Sequence, residues 1–254
     1  MTIKTYVKTG VTWNPSKDIY VKSGGSWRTI KKAWHKTSGT WQLVHNRTQQ
    51  IPIIANGYNV NLRSVLDAYL GFSQNTAMDI VITVNPGVVI GSTSVSTPGM
   101  TTGTFIPGTT VTLVNYGYVV GRGGNGGGCP QARQNGGPAL DASSWPLTVL
   151  NYGIIGSGGG GGGQGDCDGN NSPSGGGGAG HDPGLTGYGW GGACVPAPAS
   201  LLLGGVGNWC WYGGDLGQDS AHAYYGAIAY AGAYIVGNAN VTWTIPGDLR
   251  GHVA

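Results

Sequence analysis

The sequence has no glutamate, no lysine after Lys36 and only two phenylalanines. With 51 Gly and 13 Pro making up about a quarter of the chain, low-complexity disorder would be the default. Disordered chains, however, are poor in aromatics and rich in Glu, Lys and Ser, whereas this one carries 9 Trp and 13 Tyr and lacks Glu altogether. An ordered but unusual scaffold follows. The start, Met1-Thr2-Ile3-Lys4, lacks the apolar run of a signal peptide, so synthesis in the cytoplasm without Sec export is expected. The uncharged stretch Ala221–Val236 is too short and too interrupted by Gly to span a bilayer, so no membrane insertion is expected. The four cysteines, Cys129, Cys167, Cys194 and Cys210, fit neither a C-x-x-C zinc site nor a redox motif. Three disulfide pairings, or free thiols, remain open.

The missing lysines divide the chain by charge. Residues 1–50 carry seven Lys and two Arg against one Asp, hence +8; residues 51–254 carry four Arg against nine Asp, hence −5. A basic segment can bind nucleic acid, but here Trp and Tyr recur at a fixed spacing, as packing requires, and no nucleic-acid partner is expected. Three segments align at a period of 14, starting at Tyr6, Tyr20 and Trp34 and ending at Trp13, Trp27 and Trp41, each reading aromatic, x, Lys, Thr/Ser, turn, Trp. The pattern predicts three short β-hairpins, with the leading aromatic and the terminal Trp paired across strands in a pseudo-three-fold module. Fifty residues of hairpin need a shared aromatic core or a partner. A three-fold repeat suits a three-fold partner, and Tyr6, Trp13, Tyr20, Trp27, Trp34 and Trp41 are the candidate anchors.

Residues 51–114 read as a mixed connector. Apolar residues at 62, 65, 66, 69 and 70, between Asn61 and Gly71, predict a helix over about 61–70, and Asp79–Val84 and Thr109–Val114 predict strands. Residues 115–254 form a glycine-rich head: between 117 and 217, 35 of 101 positions are Gly. They concentrate at Gly121, Gly123, Gly124, Gly126, Gly127 and Gly128, at Gly158, Gly159, Gly160, Gly161, Gly162 and Gly163, and at Gly175, Gly176, Gly177 and Gly178. The frames Thr112–Gly117 and Thr148–Gly153, both ending Asn-Tyr-Gly and 36 residues apart, argue against a random linker. Extended glycine helices of about three residues per turn can pack backbone to backbone and pair their N–H and C=O groups between neighbours. The fold class expected is therefore mostly β and irregular, with a hairpin module over 1–50, a lattice of packed glycine helices joined by loops, and at most one short helix.

A glycine lattice is featureless, so chemistry falls to the joining loops, drawn as 129–147, 166–174, 181–200 and 208–223. They hold Trp145, then Asp166, Asp168, Asn170 and Asn171, then His181, Asp182, Tyr188 and Trp190, then Trp209, Trp211, Tyr212, Asp215 and Asp219. Rigid aromatic anchors among adaptable polar groups form a recognition palette of the paratope kind. Asp166-Cys167-Asp168-Gly169-Asn170 opens like a calcium loop, but Asn171 and Gly177 stand where Gly and Glu are required, so no metal or cofactor is expected. Asp215 with Asp219 or His222 could support acid–base chemistry, but loop carboxylates without a shaped cleft are usually solvated or receptor contacts. The chain is accordingly expected not to be an enzyme. The rivals are a receptor-degrading polysaccharide depolymerase and an ice-binding or structural polyglycine protein.

These features together resemble the distal long-tail-fibre adhesins of T-even-type phages, in which glycine-rich motifs alternate with hypervariable segments. The glycine motifs carry the resemblance, with Asn61-Leu62-Arg63, Gly87-Val88-Val89-Ile90-Gly91 and Asn240-Val241-Thr242-Trp243. The resemblance implies a polyglycine II sandwich with distal recognition loops and a fibre-attachment domain over 1–50, in a virion protein at the distal tip of the tail fibre, one adhesin seated on a trimeric long tail fibre protein. Its loops would bind a bacterial outer-membrane protein and so determine host range.

Overall fold

The computed structural model describes residues 48–71, 73, 77–128, 131–163, 173–189, 192, 194–221 and 228–254, and the backbone of the hairpins at 6–9, 12–15, 20–23, 25–29, 32–37 and 39–46. Strands β1 (Tyr6–Thr9) and β2 (Thr12–Pro15), β3 (Tyr20–Ser23) and β4 (Ser26–Thr29), and β5 (Lys32–Thr37) and β6 (Thr40–Asn46) pair as three antiparallel hairpins. The expected aromatic pairing across each hairpin is not what forms. Trp13 lies opposite Lys8, Trp27 opposite Lys22 and Trp41 opposite Lys36, while Tyr6, Tyr20 and Trp34 face Pro15, Thr29 and Leu43. The turn sets this register: only two residues separate the last paired positions, with Gly25 and Gly39 at φ +82° and +84° in the second and third turns.

From residue 49 onward the strands wind in one direction. Five successive coils each lay down three strands, and each strand stacks in parallel on its counterpart in the next coil, giving three five-stranded parallel sheets. The coils are β7 (Gln49–Ile53), β8 (Gly57–Tyr58) and β9 (Val60–Asn61); β10 (Asp79–Val84), β11 (Val89–Gly91) and β12 (Met100–Thr101); β13 (Thr110–Asn115), β14 (Tyr118–Val120) and β15 (Leu140–Asp141); β16 (Leu147–Asn151), β17 (Ile154–Gly156) and β18 (Ala233–Val236); and β19 (Val241–Ile245), β20 (Asp248–Arg250) and β21 (His252–Val253). This is a parallel β-helix. Alternate residues point inward, so Ile80, Ile82 and Val84 stack on Val111, Leu113 and Asn115. Met100, Leu140 and Ile235 stack in the third sheet.

The predicted helix is α1 (Leu62–Leu70), capped by the Asn61 side chain, which accepts from Ser64 N, and ended by Gly71 at φ +74°. Its Leu62 and Leu66 are fully buried against the core. At one corner Asn115 Nδ2 donates to Asn151 Oδ1 at 2.8 Å, and Asn151 Nδ2 donates to the Pro246 carbonyl at 2.8 Å. Each asparagine oxygen also accepts the N–H two residues on, at Gly117 and Gly153. The repeated Asn-Tyr-Gly frames are therefore successive rungs of one corner, topped by the stacked rings of Tyr116 and Tyr152.

The expected division at residue 114 does not hold in space. The strands of 51–114 are completed only by β13–β21, so the C-terminal residues 233–254 belong to the β-helix and not to the glycine-rich head. That head is two insertions: 121–139 between β14 and β15, and 157–232 between β17 and β18. A coil returns to the same sheet after any length of excursion, so chain order and spatial order part company here.

Candidate functional site

The insertions form a hydrogen-bonded lattice with a period of three. Gly121, Gly124 and Gly127 donate to the carbonyls of Gly156, Gly159 and Gly162; Gly159 and Gly162 donate to Ala179 and Gly176; Gly158 and Gly161 donate to Gly137 and Gln134. Every third N–H addressing one neighbour is the signature of extended helices with three residues per turn and no internal bonds. Three ridges per helix then explain where side chains occur. In 121–128 one ridge carries Arg122 and Asn125, which hold the flanking segment through Asp182 and Leu185 N. The run 158–163 has no such ridge. A Cβ on Gly158 would meet the Arg122 carbonyl, on Gly159 that of Gly214, and on Gly160 that of Ala229, so all three faces are backbone.

The bond register gives the lattice two ends. At the near end, Gly121, Gly137, Gly158 and Gly232 continue into the β-helix; Gly128, Gly163, Ser174 and Tyr188 mark the far end. There the 207–211 turn is locked from several sides. Gly207 N donates to the Trp211 carbonyl, Cys210 N to the Gly207 carbonyl and Cys194 N to the Asn208 carbonyl. A Cys194–Cys210 disulfide closes it. The buried Asn208 side chain accepts from Ser174 N at 2.7 Å and lies 3.0 Å from Ser174 Oγ, tying this turn to a second. What the locked turn presents is Trp209, 38 % exposed, with Tyr188 and Val195 exposed beside it at 67 % and 87 % and Tyr212 at 48 % just below. Exposed aromatics beside a cross-tied backbone turn suit recognition of a macromolecular surface, because little backbone freedom of that turn remains to be lost on binding.

A family model for "Phage tail fibre adhesin Gp38" matches residues 48–254. The chain belongs to this family. No curated protein matches it. Among solved structures, the gp37-gp38 adhesin tip complex of the bacteriophage S16 long tail fibre is similar in fold, at 24 % identity and a TM-score of 0.64, with 82 % of each chain covered. The matched residues span the β-helix and the lattice, so both parts of this adhesin lie within the family region.

Of the expected recognition residues, Tyr188, Trp209 and Trp211 are gathered at the far end, with Tyr212 on the flank just below. Asp166, Asp168, Asn170, Asn171 and Trp190 lie outside the described residues, as do Cys129 and Cys167. Three others are placed elsewhere. Trp145 belongs to the β-helix, where its ring centroid is 5.7 Å from that of Phe105 against the core. His181 sits at the near end, stacked on Tyr58 at 4.6 Å, and a Cβ on Gly91 would collide with it. Asp215 is also near the β-helix, accepting from Gly204 N at 2.9 Å. The glycine helices reverse direction at both ends of the lattice, so residues from one interval between glycine runs fall at either end. The repeated Asn-Tyr-Gly frames signalled the Asn115–Asn151 corner without revealing its hydrogen bonds, whereas the Leu202–Leu203 and Arg250 surroundings of Asp215 have no short motif to announce them.

Proposed function

We propose that this adhesin binds a bacterial outer-membrane protein through the far end of its lattice and thereby determines host range. The supporting observation is the cross-tied turn 207–211, whose disulfide and Asn208–Ser174 bonds display Trp209 on a rigid base. Seating follows from the amino-terminal hairpins, which dock one copy on a trimeric long tail fibre protein, in keeping with the fibre-tip complex of the S16 relative. In this reading the chain is a virion component and works by contact without turnover. The test is adsorption of phage carrying exchanged segments 129–130, 164–172, 188–194 and 207–211 from a family member of different host range. Host range is expected to move with them while fibre attachment persists; unchanged adsorption would reject the assignment.

A further inference from the structure

Away from the far end, the flank of the lattice carries two adjoining depressions of about 480 and 220 Å³. The larger is lined by Leu202, Leu203 and Arg250, the smaller by Tyr212, and Asp215 and Gln218 line both, so the two form one groove running from below the tip to β20. The polar groups are held in place yet retain hydrogen-bonding capacity. Asp215 spends Oδ1 on Gly204 N, leaving Oδ2 without a partner among the described residues. Arg250 is pinned by Asp248 through Nε and Nη2 at 2.7–3.1 Å, which leaves Nη1. The exposed Gln218 amide has no side-chain bond among the described residues.

Donor and acceptor groups thus share the groove with the half-exposed Tyr212 and the apolar edge of Leu203. Their charge selects the ligand. The Arg250 charge is matched by Asp248, while Asp215 and Asp219 leave the groove negative, with His252 on Asp219 at 3.0 Å. Phosphates and acidic sugars are disfavoured. Adjacent hydroxyls can bridge an acceptor and a donor, and a sugar C–H face can lie on an aromatic or aliphatic side chain. The shallow, open shape suits a chain that passes along it.

We infer that the flank groove between Tyr212 and Arg250 is a binding site for a neutral oligosaccharide of about two residues, separate from the recognition surface at the far end. The inference stands independently of the receptor assignment. The experiment is titration of the full-length protein with a panel of neutral disaccharides of hexoses and N-acetylhexosamines, among them maltose, cellobiose and N,N′-diacetylchitobiose, followed by ligand-observed NMR and calorimetry. At least one is expected to bind and to lose about tenfold in affinity in Gln218→Ala and in Asp215→Asn, the loss of one hydrogen bond to a charged or fixed polar group. Trp209→Ala should leave that affinity unchanged. Gln218→Ala removes only an exposed side chain, and Asp215→Asn keeps an acceptor for Gly204 N, so the fold is retained in both. No binding by any panel member up to about 10 mM, the weak end of specific association, would overturn the site. So would affinity insensitive to both groove variants, or preference for the corresponding uronic acid.

Discussion

At the scale of single residues, the near end and the interior of the lattice obey different physics. His181 is wedged at the near end between Tyr58 and Gly91, and its buried Nε2 has no hydrogen-bond partner among the described residues. Burial pushes its pKa below the ordinary 6.5, with Asp182 opposing, and Tyr58 is the other titratable group against it. The folded pKa is the lower one, so the stabilising effect of the neutral ring is intact above about 6.5 and is lost as pH falls through the folded value. Thermal unfolding followed from pH 8 to pH 5 should show a decline below 6.5 that His181→Phe flattens; an equal decline in both proteins would refute it. Gly160 is the opposite case, with no chemistry and no space. Because a Cβ there meets the Ala229 carbonyl, Gly160→Ala should cost about 3 kcal/mol and lower Tm by roughly 6–12 °C. Asn125→Ala, on the ridge that already carries side chains, forfeits one bond to Leu185 N and about 1 kcal/mol. Calorimetry that ranks the two the other way would contradict the ridge assignment.

Elements differ in how far they could be read from sequence. Helix α1 was legible because its signals are local: the apolar spacing, the Asn61 cap and the Gly71 stop. The strand at 79–84 and the one found at 110–115, one residue later than expected, were legible by alternation, but their mutual parallel stacking was not, since nothing in a strand names its partner thirty residues away. The glycine runs announced close packing. Their two-ended reversal was hidden because Gly has no side chain to mark a face, and that is why Trp145, His181 and Asp215 were assigned to the wrong place. The 207–211 turn shows what an element at the correct end gains from its ties. Its disulfide closes a sequence separation of 16, and a link of that span contributes about 3 kcal/mol. A Cys194→Ser, Cys210→Ser double variant should therefore exchange its 207–211 amides faster while the β-helix amides keep their protection. Adsorption should fall with it, by about tenfold, because the anchor must then be ordered at the moment of binding. Full adsorption by the reduced turn would show that Trp209 needs no such support.

For the whole molecule, the decisive fact is that strand pairing is partitioned. Among the described residues β1–β6 pair only within their own hairpins, and each of the three five-stranded sheets draws all its strands from residues 49–253. The family match starts at 48, at the same boundary. The +8 charge and the 14-residue repeat stop there as well. These boundaries coincide closely, and if the hairpins attach and the head recognises, as proposed, the two tasks are separable, since among the described residues no strand pairing joins 1–46 to 49–254. A chain truncated to residues 48–254 should thus unfold at the temperature at which the β-helix unfolds in the full protein, and should fail to co-purify with the fibre protein. Point variants make the same separation without truncation. Trp→Ala at Trp13, Trp27 or Trp41 should each weaken fibre association by about 2–4 kcal/mol, the usual contribution of an aromatic interface anchor, while the calorimetric transition of residues 48–254 stays in place. Co-purification that survives all three substitutions together would move the docking surface off the hairpins and onto the first coil of the β-helix, where β7, β8 and β9 are the edge strands of their sheets.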